Sequence, residues 1–299
     1  EVAMQRLFNS GQLNFIPCDI SGQAWVEIDD YDDLALSDRR FSEFDRIIND
    51  IENILFDLDG TVYVGSNVVK GGSQTITKLK QDGKNIYYLS NNSSKNKEAY
   101  VSRLKDMGID ANSSQIILST DGLIDFLKQE GVEKVHVLGT EALRKTLLDD
   151  GYQIDTTSPE YVVVGYDTEL NYQKLIDACK YINDGVDMLA THRDVSCPSE
   201  VGPIPDIGAM LEMIQLTTCK VPLKIFGKPD SEMLSPLFKE LNLDPRKTLI
   251  VGDRLHTDIQ MSKNMSCYGL LVLSGESTRN HLEASSIQPD FVINSIADI

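Results

Sequence analysis

Short apolar runs alternate along most of this chain with segments whose apolar residues recur every three or four positions. Ile54-Leu55-Phe56 reads as the end of a buried strand. To about residue 120 the pattern is strand, helix, strand, helix, strand. A helix opens at Gly71-Gly72-Ser73 with Ile76 and Leu79 on one face, 85–89 is a strand, a helix runs through Met107, and 115–118 is a further short strand. A second alternation fills 121–205, with strands at 134–139, 161–165 and 187–190. Its helices lie at 141–150, stopped by Gly151, and at 172–183, where Leu175, Ile176, Cys179 and Ile182 share a face. His136 falls inside the first of these strands and reads as structural. A loop with Pro198, Gly202, Pro203 and Pro205 follows. From 206 the first pattern returns, with helices at 207–217 and 233–241 and strands at 223–226, 248–251, 268–272 and 290–293. This alternation predicts an α/β protein. Its core is a Rossmann-like doubly wound parallel sheet built from 51–120 and 206–299, and an α/β domain is inserted at 121–205.

Residues 1–50 read differently. Ala24-Trp25-Val26-Glu27-Ile28 is strand-like, and the acidic stretch from Asp29 to Leu34 is suited to cap a short helix. Trp25, Glu27, Ile28, Asp29, Asp33 and Leu34 resemble the closing strand and helix of sugar-phosphate or phosphocholine nucleotidyltransferases, with Glu27 where an aspartate is usual. In that family the aspartate matching Asp29 helps hold magnesium. The glycine-rich nucleotide loop and its lysine are absent from this sequence. The chain begins with Glu, which leaves open a fragment of a longer product. The alternative is a solvated acidic helix cap.

Composition narrows the classes. The chain of 299 residues is 41% hydrophobic and 25% charged, ordinary for a globular protein. The formal net charge of −18 argues against nucleic acid and anionic membrane surfaces as partners. Five scattered cysteines without a C-x-x-C read as reduced thiols in a cytoplasmic protein, and no apolar run reaches membrane-spanning length.

The candidate chemistry sits at strand ends. In Asp57-Leu58-Asp59-Gly60-Thr61 the two carboxylates alternate, so an extended backbone points them the same way, and at close range they need a cation or a shared proton between them. Gly60 permits a sharp turn. The pair reads either as a magnesium site with one aspartate able to attack phosphorus, or as an ordinary turn closing a strand. Ser90-Asn91-Asn92-Ser93-Ser94 reads as an anion cradle at a helix N-terminus, or as simple capping by Asn92 or Ser94. Lys228 and the pair Asp253 and Asp258 complete four polar strand ends expected on one rim of one sheet, a set suited to phosphoryl transfer.

With those residues in hand, the stretch 51–299 resembles the haloacid dehalogenase superfamily of phosphatases. The matching segments are Asp57-Leu58-Asp59-Gly60-Thr61, Ser90 to Ser94, Gly227-Lys228-Pro229 and Gly252-Asp253-Arg254-Leu255-His256-Thr257-Asp258-Ile259. It is most similar to the NagD-like and p-nitrophenyl phosphatase subgroup, whose large α/β cap is the inserted domain. The resemblance implies that Asp57 is the nucleophile of an aspartyl-phosphate route and that Asp59 first protonates the leaving alkoxide, then activates water. It gives phosphate binding to Gly60, Ser90, Asn91 and Lys228, and Mg2+ to Asp57, Asp59 (through its carbonyl) and Asp253, with Asp258 behind them. It implies a small phosphorylated metabolite as substrate, and leaves open a homodimer through the cap. Two departures stand out. His256 occupies a position that is often acidic, either a pH-sensitive group near the metal or an exposed bystander. His192 and Arg193 stand where relatives often read Asn-x, either as recognition for a second anion or as a surface loop with Arg193 paired to Asp194. The alternative to a stand-alone phosphatase is one half, or a regulatory module, of a bifunctional nucleotidyltransferase-phosphatase. A binding module that retains the hydrolase fold is the non-enzymatic alternative, against which the intact acidic, lysine and phosphate-loop positions argue.

Overall fold

The computed structural model describes residues 43–154, 156–197 and 202–299. The nucleotidyltransferase-like stretch at 24–34 lies outside the described residues. The first described element is a helix, Glu43–Asp50.

The six-stranded sheet takes β1 (Asn53–Asp57), whose exit carries a small hairpin of β2 (Tyr63–Val64) and β3 (Asn67–Val68), then β4 (Asn85–Ser90) and β5 (Ile116–Leu118). The chain next builds a second sheet from β6 (Lys134–Leu138), β7 (Gln153–Ile154), β8 (Tyr161–Val164) and β9 (Asp187–Ala190). A two-residue ladder, β10 (Ser196–Cys197) with β11 (Ile204–Pro205), follows, and β12 (Lys224–Ile225) closes the second sheet. The first sheet is completed by β13 (Thr248–Gly252), β14 (Tyr268–Val272) and β15 (Phe291–Ile293).

The sheet orders are β15-β14-β13-β1-β4-β5 and β12-β9-β8-β6-β7, and every pairing within them is parallel. In the first sheet the chain starts at the centre, works outward to β5, and returns on the other side of β1. This is the doubly wound arrangement expected, and its switch point lies between β1 and β13, where open α/β sheets hold ligands.

Burial on both faces explains why the strands read as apolar runs. All five residues of β1 and of β13 are buried. Leu55, Leu89, Ile117 and Ile250 pack on one face of the first sheet with Met233, Leu234 and Met261. In the second sheet Val135, Val137 and Val163 face Leu123, Leu127, Leu143 and Leu147, while Leu138, Val162 and Val164 face Ala178, Ile182, Leu211 and Ile214. The period of two is visible across neighbouring strands.

Two expectations need correction. The helix Ile207–Thr218 packs in the second domain's core, and β12 pairs with β9, so the inserted segment runs to about 226 and not to 205. The apolar content of 206–226 is the same for either sheet, which is why the pattern could not assign it. On the helix Tyr172–Asn183, Ala178 and Ile182 are buried and Leu175 and Cys179 pack against them, but Ile176 is exposed. The helix Ser119–Gln129, with Gly122 inside it, is additional to the predicted elements. A Cβ at Gly122 would lie 2.8 Å from the Glu232 carbonyl oxygen and 3.1 Å from the Met233 Cα. The four cysteines among the described residues are free thiols, and no helix among those residues is long and apolar enough to cross a membrane.

The Gly122 contact makes a prediction. Alanine favours helix over glycine by about 1 kcal/mol, but here its methyl group meets backbone, where overpacking costs roughly 1–3 kcal/mol. Gly122→Ala should therefore lower Tm in a thermal melt. A raised Tm would mean that the helix does not sit this close to Glu232.

Candidate active site

Three adjacent strands, β13, β1 and β4, end on one rim with Asp253 just past β13, Asp57 on β1 and Ser90 on β4. The fourth expected strand end departs from the sequence reading. Lys228 follows β12 of the second sheet, so it reaches the rim on a loop returning from the other domain. That loop is fixed from both sides. The Lys228 N–H donates to Asn91 Oδ1 at 2.7 Å, and Asn91 Nδ2 donates to the Lys228 carbonyl at 3.3 Å.

The Lys228 ammonium is buried between two carboxylates. It donates to Asp57 Oδ1 and, at 2.7 Å, to Asp258 Oδ1. The other oxygen of Asp258 accepts from the Arg254 N–H at 3.1 Å and from Thr257 Oγ1 at 3.3 Å. Thr257 and Asp258 lie in a π-helical turn, Leu255–Ile259, that Arg254 precedes, a rare local geometry often found at functional sites. Burial works against charge on Lys228, but Asp258 and Asp57 hold its pKa above the ordinary lysine value.

Asp253 completes a buried trio. Carboxylate oxygens of Asp57, Asp253 and Asp258 lie within 4.8 Å of one another. Asp253 Oδ2 accepts from the Glu276 N–H at 2.6 Å, while its Oδ1 is buried with no hydrogen-bond partner. Burial, then repulsion from Asp258, pushes the Asp253 carboxyl up to about 6. Burial also raises Asp57 well above the usual carboxylate range, with Lys228 pulling it down and Asp258 and Asp253 pushing it up. Three carboxylates against one ammonium, with one orphaned oxygen, fit a hard divalent cation bound by oxygens.

Gly60 acts by its absence of a side chain. Its φ is 95°, and a Cβ there would run into the Asp253 carboxylate. Its N–H donates to the Tyr63 carbonyl at 2.8 Å. Asp59 stands outside the carboxylate trio. Its Oδ2 accepts from Tyr63 Oη at 3.3 Å. The residue is open to solvent at one edge, yet the protein packed around the carboxyl raises its pKa, with Arg103 as the main opposing influence.

The Ser90 hydroxyl is buried, 3.1 Å from Tyr100 Oη, and accepts the Asn92 N–H at 3.2 Å. The Asn91 side chain, besides bracketing Lys228, donates to Asp194 Oδ2 at 3.1 Å, so it ties the cap to the core rather than facing phosphate. Asn92 makes a local turn to Ser94, and the next helix starts only at Lys97, capped by Asn96. The anion cradle read at 90–94 is therefore a loop and not a helix end.

Asp57, Asp59, Ser90, Asn91 and Lys228 line one narrow cavity of about 50 Å³, closed on the cap side by Asp194, Cys197 and Asp206. By volume it holds about four waters. A larger cleft of about 880 Å³ lies elsewhere and takes in none of these residues. Of the two departures, the one at 192–193 differs from both sequence readings. His192 is buried, with Nε2 3.0 Å from Asp206 Oδ1, and Arg193 is exposed; neither lines the cavity. Asp194 pairs with Arg254 at 3.7 Å, not with Arg193. His256 is exposed. The residues missed from sequence are Asp194, Asp206 and Arg254. Arg254 lay within a quoted motif, but only the folded chain shows what it faces.

Comparison with known proteins agrees with this geometry. Residues 54–153 match the family model described as haloacid dehalogenase-like hydrolase, and residues 225–299 match a second, HAD-hydrolase-like model. The chain is 31% identical to an acid sugar phosphatase of Staphylococcus saprophyticus over 82% of this chain and 95% of that one. It is 30% identical to the chloroplastic phosphoglycolate phosphatase 1A of Arabidopsis thaliana, over 88% and 80%. Its fold superimposes on a 4-nitrophenylphosphatase of Thermotoga maritima with a TM-score of 0.81, at 33% identity over 84% of this chain and 97% of that one.

The crowded trio makes a prediction about stability. In the metal-free protein the folded pKa of Asp253 is above its unfolded value, so its contribution is present below about pH 4 and lost as pH rises through about 6. Asp253→Asn removes that penalty, on the order of 2 kcal/mol. In EDTA the variant should melt roughly 5 °C above wild type at pH 7.5 and level with it near pH 4. Equal melting at pH 7.5 would contradict a buried, unbalanced carboxylate.

Proposed function

The chain belongs to the haloacid dehalogenase-like hydrolases, and on that premise we propose that it is a magnesium-dependent phosphatase of a small phosphorylated metabolite, acting through an aspartyl-phosphate on Asp57. The observation that carries this reading is the Lys228 ammonium shared by Asp57 and Asp258 at the head of the cavity. A buried ammonium in contact with a carboxylate both fixes the nucleophile's orientation and offsets charge on an incoming phosphate.

Asp57 and Asp253 would hold the magnesium ion, with Asp258 behind them fixing Lys228. The ion supplies positive charge to the phosphoryl oxygens and to the carboxylates that face them. An Asp57 oxygen attacks phosphorus as the bond to the leaving alcohol's oxygen breaks. Asp59 gives that oxygen its proton; the raised Asp59 pKa favours the protonated form this step needs. Asp59, now ionised, takes a proton from water, which attacks the aspartyl-phosphate, breaks the phosphorus bond to Asp57 and releases phosphate. The Ser90 hydroxyl and the Asn91 main-chain N–H are the groups assigned to the phosphoryl oxygens. The cavity is too small for a phosphate ester as it stands, so the cap must part from the core to admit one and close again to exclude water.

Phosphate release from p-nitrophenyl phosphate, measured with Mg2+ and with EDTA, tests the proposal. Wild type should be active only with the metal. Asp57→Asn should lose roughly a thousandfold or more in kcat, and Lys228→Met at least about a hundredfold. Full activity in EDTA, or an active Asp57→Asn, would overturn it.

A further inference from the structure

The cap side of the cavity has a chemistry of its own. Asp194 and Asp206 both line it, opposite Asp57 and Lys228. Ligand-type atoms of His192, Asp194 and Asp206 lie within 4.8 Å of one another, so the two carboxylates are neighbours on one wall. Each is held from behind. Asp206 Oδ1 accepts from the Ile207 N–H at 2.6 Å and contacts His192 Nε2 at 3.0 Å. Asp194 Oδ2 accepts from Asn91 Nδ2 at 3.1 Å.

A buried hydrogen-bond chain backs His192. The Tyr166 N–H donates to Ser93 Oγ at 2.9 Å, Ser93 Oγ lies 2.9 Å from Thr191 Oγ1, and Thr191 Oγ1 lies 3.3 Å from His192 Nδ1. With Ser93 accepting at its start, every hydroxyl can donate forward. His192 Nδ1 then accepts from Thr191, and its Nε2–H donates to Asp206. The His192 and Ile207 contacts of Asp206 both fall on its Oδ1, which leaves its other oxygen for the cavity.

Both cations of the cavity already face carboxylates of the protein. Lys228 is held by Asp57 and Asp258, and the Arg254 guanidinium lies 2.9 Å from Glu276 and 3.7 Å from Asp194. Two adjacent carboxylates repel each other unless a cation or hydrogen-bond donors come between them. A carboxylate on the substrate would worsen that repulsion.

From this wall, and resting on the phosphatase reading above, we propose that the leaving alcohol carries O–H or N–H donors and no carboxylate, and that Asp206, positioned by His192, and Asp194 select it. Polyol phosphates and amino-alcohol phosphates share this chemistry; phosphorylated hydroxy acids do not.

The test is kcat/KM of the magnesium-loaded full chain on glycerol 3-phosphate, ethanolamine phosphate and phosphoglycolate, with p-nitrophenyl phosphate as reference. Wild type should prefer glycerol 3-phosphate or ethanolamine phosphate to phosphoglycolate by at least about tenfold; which of the two leads tells a hydroxyl donor from an ammonium. Asp206→Asn keeps a helix-capping side chain, and Asp194→Asn provides a second variant at a separate anchor. Each should narrow the preference by about tenfold, with phosphoglycolate gaining. Turnover of phosphoglycolate equal to or above the other two in wild type, or an unchanged ratio in both variants, overturns the inference while the phosphatase reading stands. Absence of all turnover, the aryl ester included, overturns both.

Discussion

A single buried ammonium, Lys228, holds the rim of the sheet together electrostatically. Asp57, Asp253 and Asp258 are all buried and mutually close, and Lys228 is the cation in contact with two of them. Removing one partner of such a buried pair typically costs 3–5 kcal/mol, because the remaining charge is left uncompensated, so about that much depends on the loop that delivers the lysine. The loop comes from β12 of the second domain. The charge balance of the core is thus completed by a residue that the inserted domain hands back, and neither part makes the proposed site alone.

The same dependence appears in the contacts between the domains. Asn91, just past β4, grips Lys228 through both its side-chain atoms and reaches Asp194 on the cap. Two residues on, Ser93 joins the buried chain that runs through Thr191 and His192 to Asp206. The loop proposed to receive phosphate is therefore wired to the cap wall proposed to select the alcohol. The cap movement proposed above would have to break Asn91–Asp194 and the Asp194–Arg254 ion pair.

Much of this was legible in the chain. The buried parallel strands showed as uninterrupted apolar runs, because burial on both faces leaves no polar alternation. The haloacid dehalogenase-like motifs located Asp57, Ser90, Lys228, Asp253 and Asp258, and the fold brings them together. What stayed hidden depended on partners far apart in sequence. The pattern 223–226 is a strand in either sheet, and only its pairing with β9 assigns it to the cap. The helix at 119–129 has no counterpart in the sequence reading, and the backbone that Gly122 accommodates is more than a hundred residues away. His192 was read either as half of a recognition pair for a second anion or as part of a surface loop, since nothing local reveals Asp206 behind it. That Gly60 leaves room for Asp253 shows only in the folded chain. His256, exposed, matches the bystander reading.

Trapping the intermediate tests the central claim most directly. Magnesium-loaded enzyme would be quenched in acid during turnover of p-nitrophenyl phosphate, digested, and mapped by mass spectrometry. The account predicts a transient, acid-stable phosphoryl adduct on the peptide containing Asp57, absent in Asp57→Asn. Steady turnover with no adduct at any quench time, or an adduct on a different residue, would contradict it.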